Sequence, residues 1–233
     1  MTDNKTPMHQ LVADKDGILP FESRLRHNIL KMPVEIQEAS GIVVFGRRIK
    51  SLLFSTDLAM IKNCDADAIL AVHPFTAQRS ISAPIIQSAS MPVFCGVGGG
   101  ITQGVRAVYL ANDAESQGAI GVVVNMGLPN EDVQAMASVI DIPIVATVAN
   151  DRVDVGLRIK SGASIINVAG GKDTPDIVRK IRAEHPSIPI MASGGKSPKS
   201  ISATIEAGAN AIVFTPPSSS EMLKDVMTKY RNS

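Results

Sequence analysis

An α/β chain folded as a single (β/α)8 (TIM) barrel, with an N-terminal helical extension, is predicted by three observations. The sequence repeats at about 45 residues, each period holding two strands and two helices. Its strands are apolar without alternation. Its 233 residues are close to the ~250 typical of such a barrel.

The repeat carries two kinds of mark. An apolar residue and a proline open three strands, at Met91-Pro92-Val93, Ile142-Pro143-Ile144 and Ile188-Pro189-Ile190. Proline suits a strand's first position because no ladder hydrogen bond is lost there. Three other strands are introduced by Gly118-Ala119, Gly162-Ala163 and Gly208-Ala209, and each glycine fits the left-handed position that ends a helix. The Gly-Ala marks recur after 44 and then 46 residues, the proline marks after 51 and then 46. Run backwards, the period predicts a first strand over Ile49 to Ser55 and a second over Ala68 to Val72, which completes eight.

Gly121 to Asn125, Pro143 to Val148 and Ala211 to Phe214 are continuously apolar, as expected of parallel strands covered on both faces. Pro175 to Arg182 and Ser200 to Glu206 space their apolar residues three to four apart, the pattern of amphipathic helices. An open doubly wound sheet is the alternative, but it does not normally sustain one repeat to an eighth strand. The barrel is expected over residues 41–233 and the extension over residues 1–40. Within the extension, Phe21 to Met32 predicts a helix that closes the barrel bottom. Its Arg24, Arg26 and His27 could instead reach a neighbouring subunit, so a homo-oligomer stays open.

Composition excludes several classes. Lys and Arg number 23 against 22 Asp and Glu, a net charge of +1, which gives no reason to expect nucleic acid or an anionic membrane as partner. Cys64 and Cys95 match no zinc or redox spacing and read as reduced thiols of a cytoplasmic protein, Cys95 as packing. No apolar run approaches the ~20 residues of a membrane helix, and the start MTDNKTPMHQ lacks a secretion signal's apolar core.

In a barrel of this kind the site lies at the carboxyl ends of the strands. In order, the strand ends deliver Ser55-Thr56-Asp57, His73-Pro74, Cys95 to Gly100, Asn125-Met126-Gly127, Thr147 to Asp151, Asn167 to Lys172, Ser193 to Lys196, and Thr215 to Ser218. Gly-Gly recurs at Gly98-Gly99-Gly100, Gly170-Gly171 and Gly194-Gly195. Glycine lets backbone N–H groups approach an anion closely, and the helix start that follows adds free donors and the positive end of a dipole. Gly170-Gly171-Lys172 and Gly194-Gly195-Lys196 are near copies, with Thr174 and Ser197 as candidate N-caps before Pro175 and Pro198. The expected ligand is a small phosphorylated molecule. Tight turns alone would also explain the glycines.

Ile188 to Gly195, with the helix and strand ending Glu206 to Phe214, resembles the last quarter of the phosphate-binding barrel superfamily, which includes enzymes of histidine and tryptophan synthesis. Met91 to Ile101 is similar to the glycine-rich loop after the third strand of the histidine-pathway isomerase. The resemblance implies opposed phosphate sites at Gly98 to Gly100 and at Gly194 to Gly195, and covers roughly a third of the chain. The chain departs from that isomerase in having no acid on the fifth strand before Asp151, and Asp57 stands beyond Ser55-Thr56. Pro216-Pro217 replaces the superfamily's usual Gly-Ser and offers no N–H donors. The same segments also resemble bacterial barrel proteins loosely labelled hydrolases, a chemistry that no residue here specifies.

A Schiff-base aldolase needs a desolvated lysine inside the barrel, and Lys50, within the first predicted strand, sits at its wrong end. A metal hydrolase needs clustered His and acid ligands, and of four histidines only His73 is well placed. No metal or other cofactor is therefore expected. Acid–base chemistry of isomerase or lyase type is the favoured expectation, with His73 as proton carrier and Asp57 or Asp151 as acidic partner. Asn125, Thr147 and Asn167 would orient the substrate, and Ser193, Thr215 and Ser218 would join the phosphate site. A loop anchor for His73 and a helix cap for Asp57 are the structural alternatives. A non-catalytic sensor of a phosphorylated ligand, as the glycerol-operon antiterminator resembles, is the functional one.

Overall fold

The computed structural model describes Gly17, residues 30–195 and residues 197–232. After a 3-10 turn over Val34–Glu38 comes a short hairpin, Ile42–Val44 (β1) and Arg47–Ile49 (β2). Eight parallel strands then close into a barrel: Ser51–Phe54 (β3), Ala68–Ala71 (β4), Val93–Gly98 (β5), Gly121–Val124 (β6), Ile144–Val148 (β7), Ala163–Val168 (β8), Ile190–Ser193 (β9) and Ala211–Phe214 (β10). Closure is made by β10 against β3, with Ile212 opposite Ser51 and Phe214 opposite Leu53. A helix follows each barrel strand: Leu58–Lys62 (α1), Arg79–Ser88 (α2), Val105–Ser116 (α3), Asn130–Ala137 (α4), Val155–Lys160 (α5), Thr174–Glu184 (α6), Pro198–Glu206 (α7) and Ser219–Asn232 (α8).

Strand alternation sorts the apolar residues into two cores. Leu52, Leu70, Phe94, Val123, Val145, Ile165, Met191 and Val213 fill the barrel interior, together with Ile42, Val44 and Ile49 of the hairpin. Leu53, Ile69, Val122, Ile144, Ile166, Ile190 and Ile212 face outward onto Ile85, Val133, Val178 and Ile201 of the helices. The Gly-Ala marks do end helices: Gly118, Gly162 and Gly208 have φ of 95°, 113° and 110°.

Two local expectations, on the first strand and on Thr174, are corrected, and a third falls mostly outside the described residues. The first predicted strand began at Ile49, but Ile49 belongs to β2 and the barrel strand starts at Ser51. The break between them is held by Asp67, whose Oδ2 accepts from the N–H groups of Lys50 (2.8 Å) and Ser51 (3.0 Å). The predicted closing helix lies outside the described residues except at its end, where Leu30 is extended and pairs with Cys64. Among the described residues it is the hairpin that enters the lower end of the barrel, because Ile42, Val44 and Ile49 are all buried there. Finally, Ser197 does cap α7, accepting from the N–H of Ser200, but Thr174 is no cap. It lies inside α6, and its Oγ1 accepts from the N–H of Gly170 at 3.1 Å, closing the β8 loop.

Candidate functional site

None of the eight barrel strands carries a charged residue. Continuing each strand's alternation one pleat beyond the apolar interior brings Phe54, Asn125, Thr147, Asn167, Ser193 and Thr215 to the mouth. The upper layer is thus mostly polar and wholly uncharged. Its most constrained member is Asn167, only 5% exposed. The Asn167 Nδ2 donates to Thr147 Oγ1 at 3.2 Å, while its Oδ1 is buried without a partner among the described residues. Buried polar atoms are normally satisfied, so an orphaned acceptor facing a barrel mouth marks a place for a donor.

His73 follows β4 on the opposite side of this ring. Its Nδ1 is likewise buried and unpartnered among the described residues, and its ring is tilted against Phe75 with centroids 6.1 Å apart. It borders a cleft of about 30 Å3 shared with Asn125, Gly98, Gly99 and Thr102, room for one or two waters.

The glycine loops divide into committed and free donors. Gly99 N–H donates to Thr102 O (2.9 Å), and Thr102 N–H returns to Gly99 O (3.0 Å), so this turn closes on itself. A Cβ on Gly99 would lie 2.4 Å from the Asn125 Cβ, a sufficient structural reason for glycine. Gly170 N–H is held by Thr174 and Gly194 N–H by Val213 O (3.3 Å). The exposed, left-handed turns are Gly100, Gly171 and Gly195, with φ of 58°, 61° and 75°. Lys172 is exposed beside Gly171. Lys196 lies outside the described residues.

Of the two acids, Asp57 takes the helix-cap role that the sequence also offered. Asp57 caps α1, its Oδ1 accepting from Ala59 N–H (2.8 Å) and Met60 N–H (3.3 Å). The Ser219 hydroxyl donates to its Oδ2, and that bond, with the cap, holds the carboxyl below the usual aspartate range against the opposing effect of burial. Asp151 is exposed in the loop after β7, on the rim of a side groove between α5 and α6 that it shares with Asp154, Lys180 and His185. It does not share the cleft of His73. Ser218, expected at the phosphate site, has its N–H (2.7 Å) and hydroxyl (2.8 Å) both donating to Glu221 Oε2. A carboxylate already occupies that helix start and repels a second anion.

Sequence reasoning missed the residues that shape the loops around Asn125. Arg158, on α5 and 7% exposed, donates from Nη1 to Leu128 O (2.6 Å) and from Nη2 to Met126 O (2.5 Å), and burial lowers its pKa. Gln103 Nε2 bridges Gly100 O (2.7 Å) and Gly127 O (3.2 Å). An arginine in the last turn of a short helix reads as solvated, so no sequence signal distinguishes it. Cys95 is packing as expected, its thiol pushed up to about 12 by burial.

The fold and mouth define the class: a closed parallel barrel with neutral polar groups at its carboxyl end. Solved structures similar to it share the fold at low identity. A protein described as a phosphonomutase from Burkholderia cenocepacia aligns at TM-score 0.59 and 15% identity, over 78% of this chain and 92% of that one. Phosphonopyruvate hydrolase aligns at 0.58 and 14%, over 78% and 79%. Dihydrodipicolinate synthase of Agrobacterium tumefaciens aligns at 0.54 and 16%, over 78% and 71%. No protein-family model and no curated protein matches the sequence significantly. Phosphonopyruvate hydrolase has also been solved with oxalate and Mg2+; here, among the described residues, no group of three His, Cys, Asp or Glu side chains could hold a metal ion.

Proposed function

We propose that this chain is an enzyme of isomerase or lyase type, acting at the barrel mouth on a small phosphorylated metabolite. The observation that carries the reading is the buried, unpartnered Asn167 Oδ1 within an uncharged polar ring. With no cation on any barrel strand, the deep end of the mouth suits a hydroxyl or other neutral donor rather than a carboxylate. Asn167 accepts from that donor, and Thr147, Ser193, Asn125 and Thr215 orient the groups beside it. The phosphate stays at the rim, against the exposed turns at Gly171 and Gly195, with Lys172 and Lys196 supplying charge.

His73 is assigned the proton transfer. Asp57 is spent on its cap and Asp151 borders a different groove, so His73 is proposed to act without a carboxylate partner. The enzymatic character is supported by the neighbours, described as mutase, hydrolase and synthase. Lyase chemistry through a lysine imine is disfavoured because the barrel strands hold no lysine.

Thermal-shift titration tests the reading with inorganic phosphate, hydroxylated sugar phosphates and phosphorylated carboxylic acids. A hydroxylated phosphate at a hundred times its dissociation constant is expected to add about 2.7 kcal/mol of stability. Asn167→Leu should lose most of that shift, whereas His73→Gln should keep it and lose turnover. Absence of a shift with every phosphate compound overturns the ligand class.

A further inference from the structure

At the end of the barrel opposite the mouth, the hairpin turns through Phe45-Gly46, with φ of 46° and 78°. A type I′ hairpin turn of this kind needs positive φ at both central positions, and Asn-Gly or Asp-Gly supplies it at least steric cost. Phe45 is the only non-glycine with positive φ among the described residues, and the residue is 67% exposed. Strained backbone and a bared aromatic ring are two costs that nothing among the described residues offsets. Val43 on the same hairpin is 58% exposed and Val139, beside α4, 46%.

Next to this projecting ring lies a socket. Along the β1 edge runs a hollow of about 490 Å3, lined by Val43, Ile140, Asp141, Pro143 and Ile165 and bounded on one side by Phe45 itself. On the other edge of the hairpin Arg47 stands beside Phe45. Arg47 and Asp141 are both exposed, and neither makes an ion pair among the described residues. One face therefore presents an apolar knob flanked by a cation and an apolar groove flanked by an anion.

We propose that this face binds a second copy of the chain across a two-fold axis, each Phe45 entering the partner's groove along β1 and each Arg47 meeting Asp141 of the partner subunit. A two-fold contact requires a surface complementary to itself in shape and in charge, and adjacent knob and socket with opposite charges meet both conditions. Both mouths stay open, since they lie at the far ends of the barrels.

Sedimentation velocity on the full chain between about 1 and 200 µM tests this, a range bracketing micromolar association. A concentration-dependent shift from monomer to dimer is expected. Phe45→Asn, which removes the ring and supplies a residue at ease in left-handed backbone, should sediment as monomer throughout with its circular dichroism unchanged. Arg47→Glu should weaken association at least about tenfold, a loss of about 1.4 kcal/mol, and Arg47→Glu with Asp141→Arg should restore it. A monomer at every concentration, a Phe45→Asn variant that still dimerises, or a charge swap that restores nothing overturns the proposal.

Discussion

Asp57 shows one side chain serving two helices: Oδ1 caps α1, while Oδ2 takes the hydroxyl of Ser219 at the start of α8. Removing the cap with Asp57→Ala should cost about 1 kcal/mol, measurable by chemical denaturation at pH 7. The charge adds a pH dependence of known sign. Because the folded carboxyl titrates below its ordinary 3.8, its stabilisation is complete above that value and is lost as the pH falls through the lower, folded one. Wild type should therefore exceed Asp57→Asn in stability at pH 7, and the gap should narrow below about pH 4. A gap that widens in acid contradicts the assignment. The sequence made Asp57 legible as a cap through the apolar run Leu58 to Ile61. Its second bond was not legible, because 162 residues separate Asp57 from Ser219. Arg158 was hidden for the same reason: its carbonyl acceptors lie 30 and 32 residues upstream.

At the level of elements, the β9 loop gives its glycines a structural duty independent of any ligand. A Cβ on Gly194 would stand 2.6 Å from Ile212 Cγ2 and 3.1 Å from Ile201 Cγ1, wedging β10 from α7. Gly194→Ala is expected to destabilise the ligand-free protein by about 1–3 kcal/mol, the usual cost of overpacking a core. Unchanged thermal stability would show that the loop yields. The start of α7 was readable because capping is local: Ser197, Pro198 and Ser200 make the whole device within four residues. The β8 loop misled because Thr174-Pro175 has the same local signature, yet Gly170 N–H, four residues earlier, claims the hydroxyl.

For the whole molecule, the segment before the hairpin is part of the barrel's packing. Ile36 is fully buried, with Met32 in the same outer core, and the 3-10 turn Val34–Glu38 that carries Ile36 packs on α7. Ile36→Ala should cost about 2–5 kcal/mol, read as a lower denaturant midpoint with an unchanged slope. A loss below 1 kcal/mol would mean the turn is peripheral. The ten residues from Leu30 to Ala39 offered no period from which burial could be inferred.

Eight strands and their order were settled by periodicity and by proline and glycine punctuation, since these act over a few residues and repeat. Which polar atoms are spent and which are left over was settled only when the ring closed. Asn167 looks like any strand-end amide until Thr147 on the neighbouring strand takes its Nδ2 and burial strands its Oδ1. Ser218 looks free until Glu221 folds back on it. Hydrogen-bond satisfaction depends on every neighbour at once, and that information exists only in three dimensions.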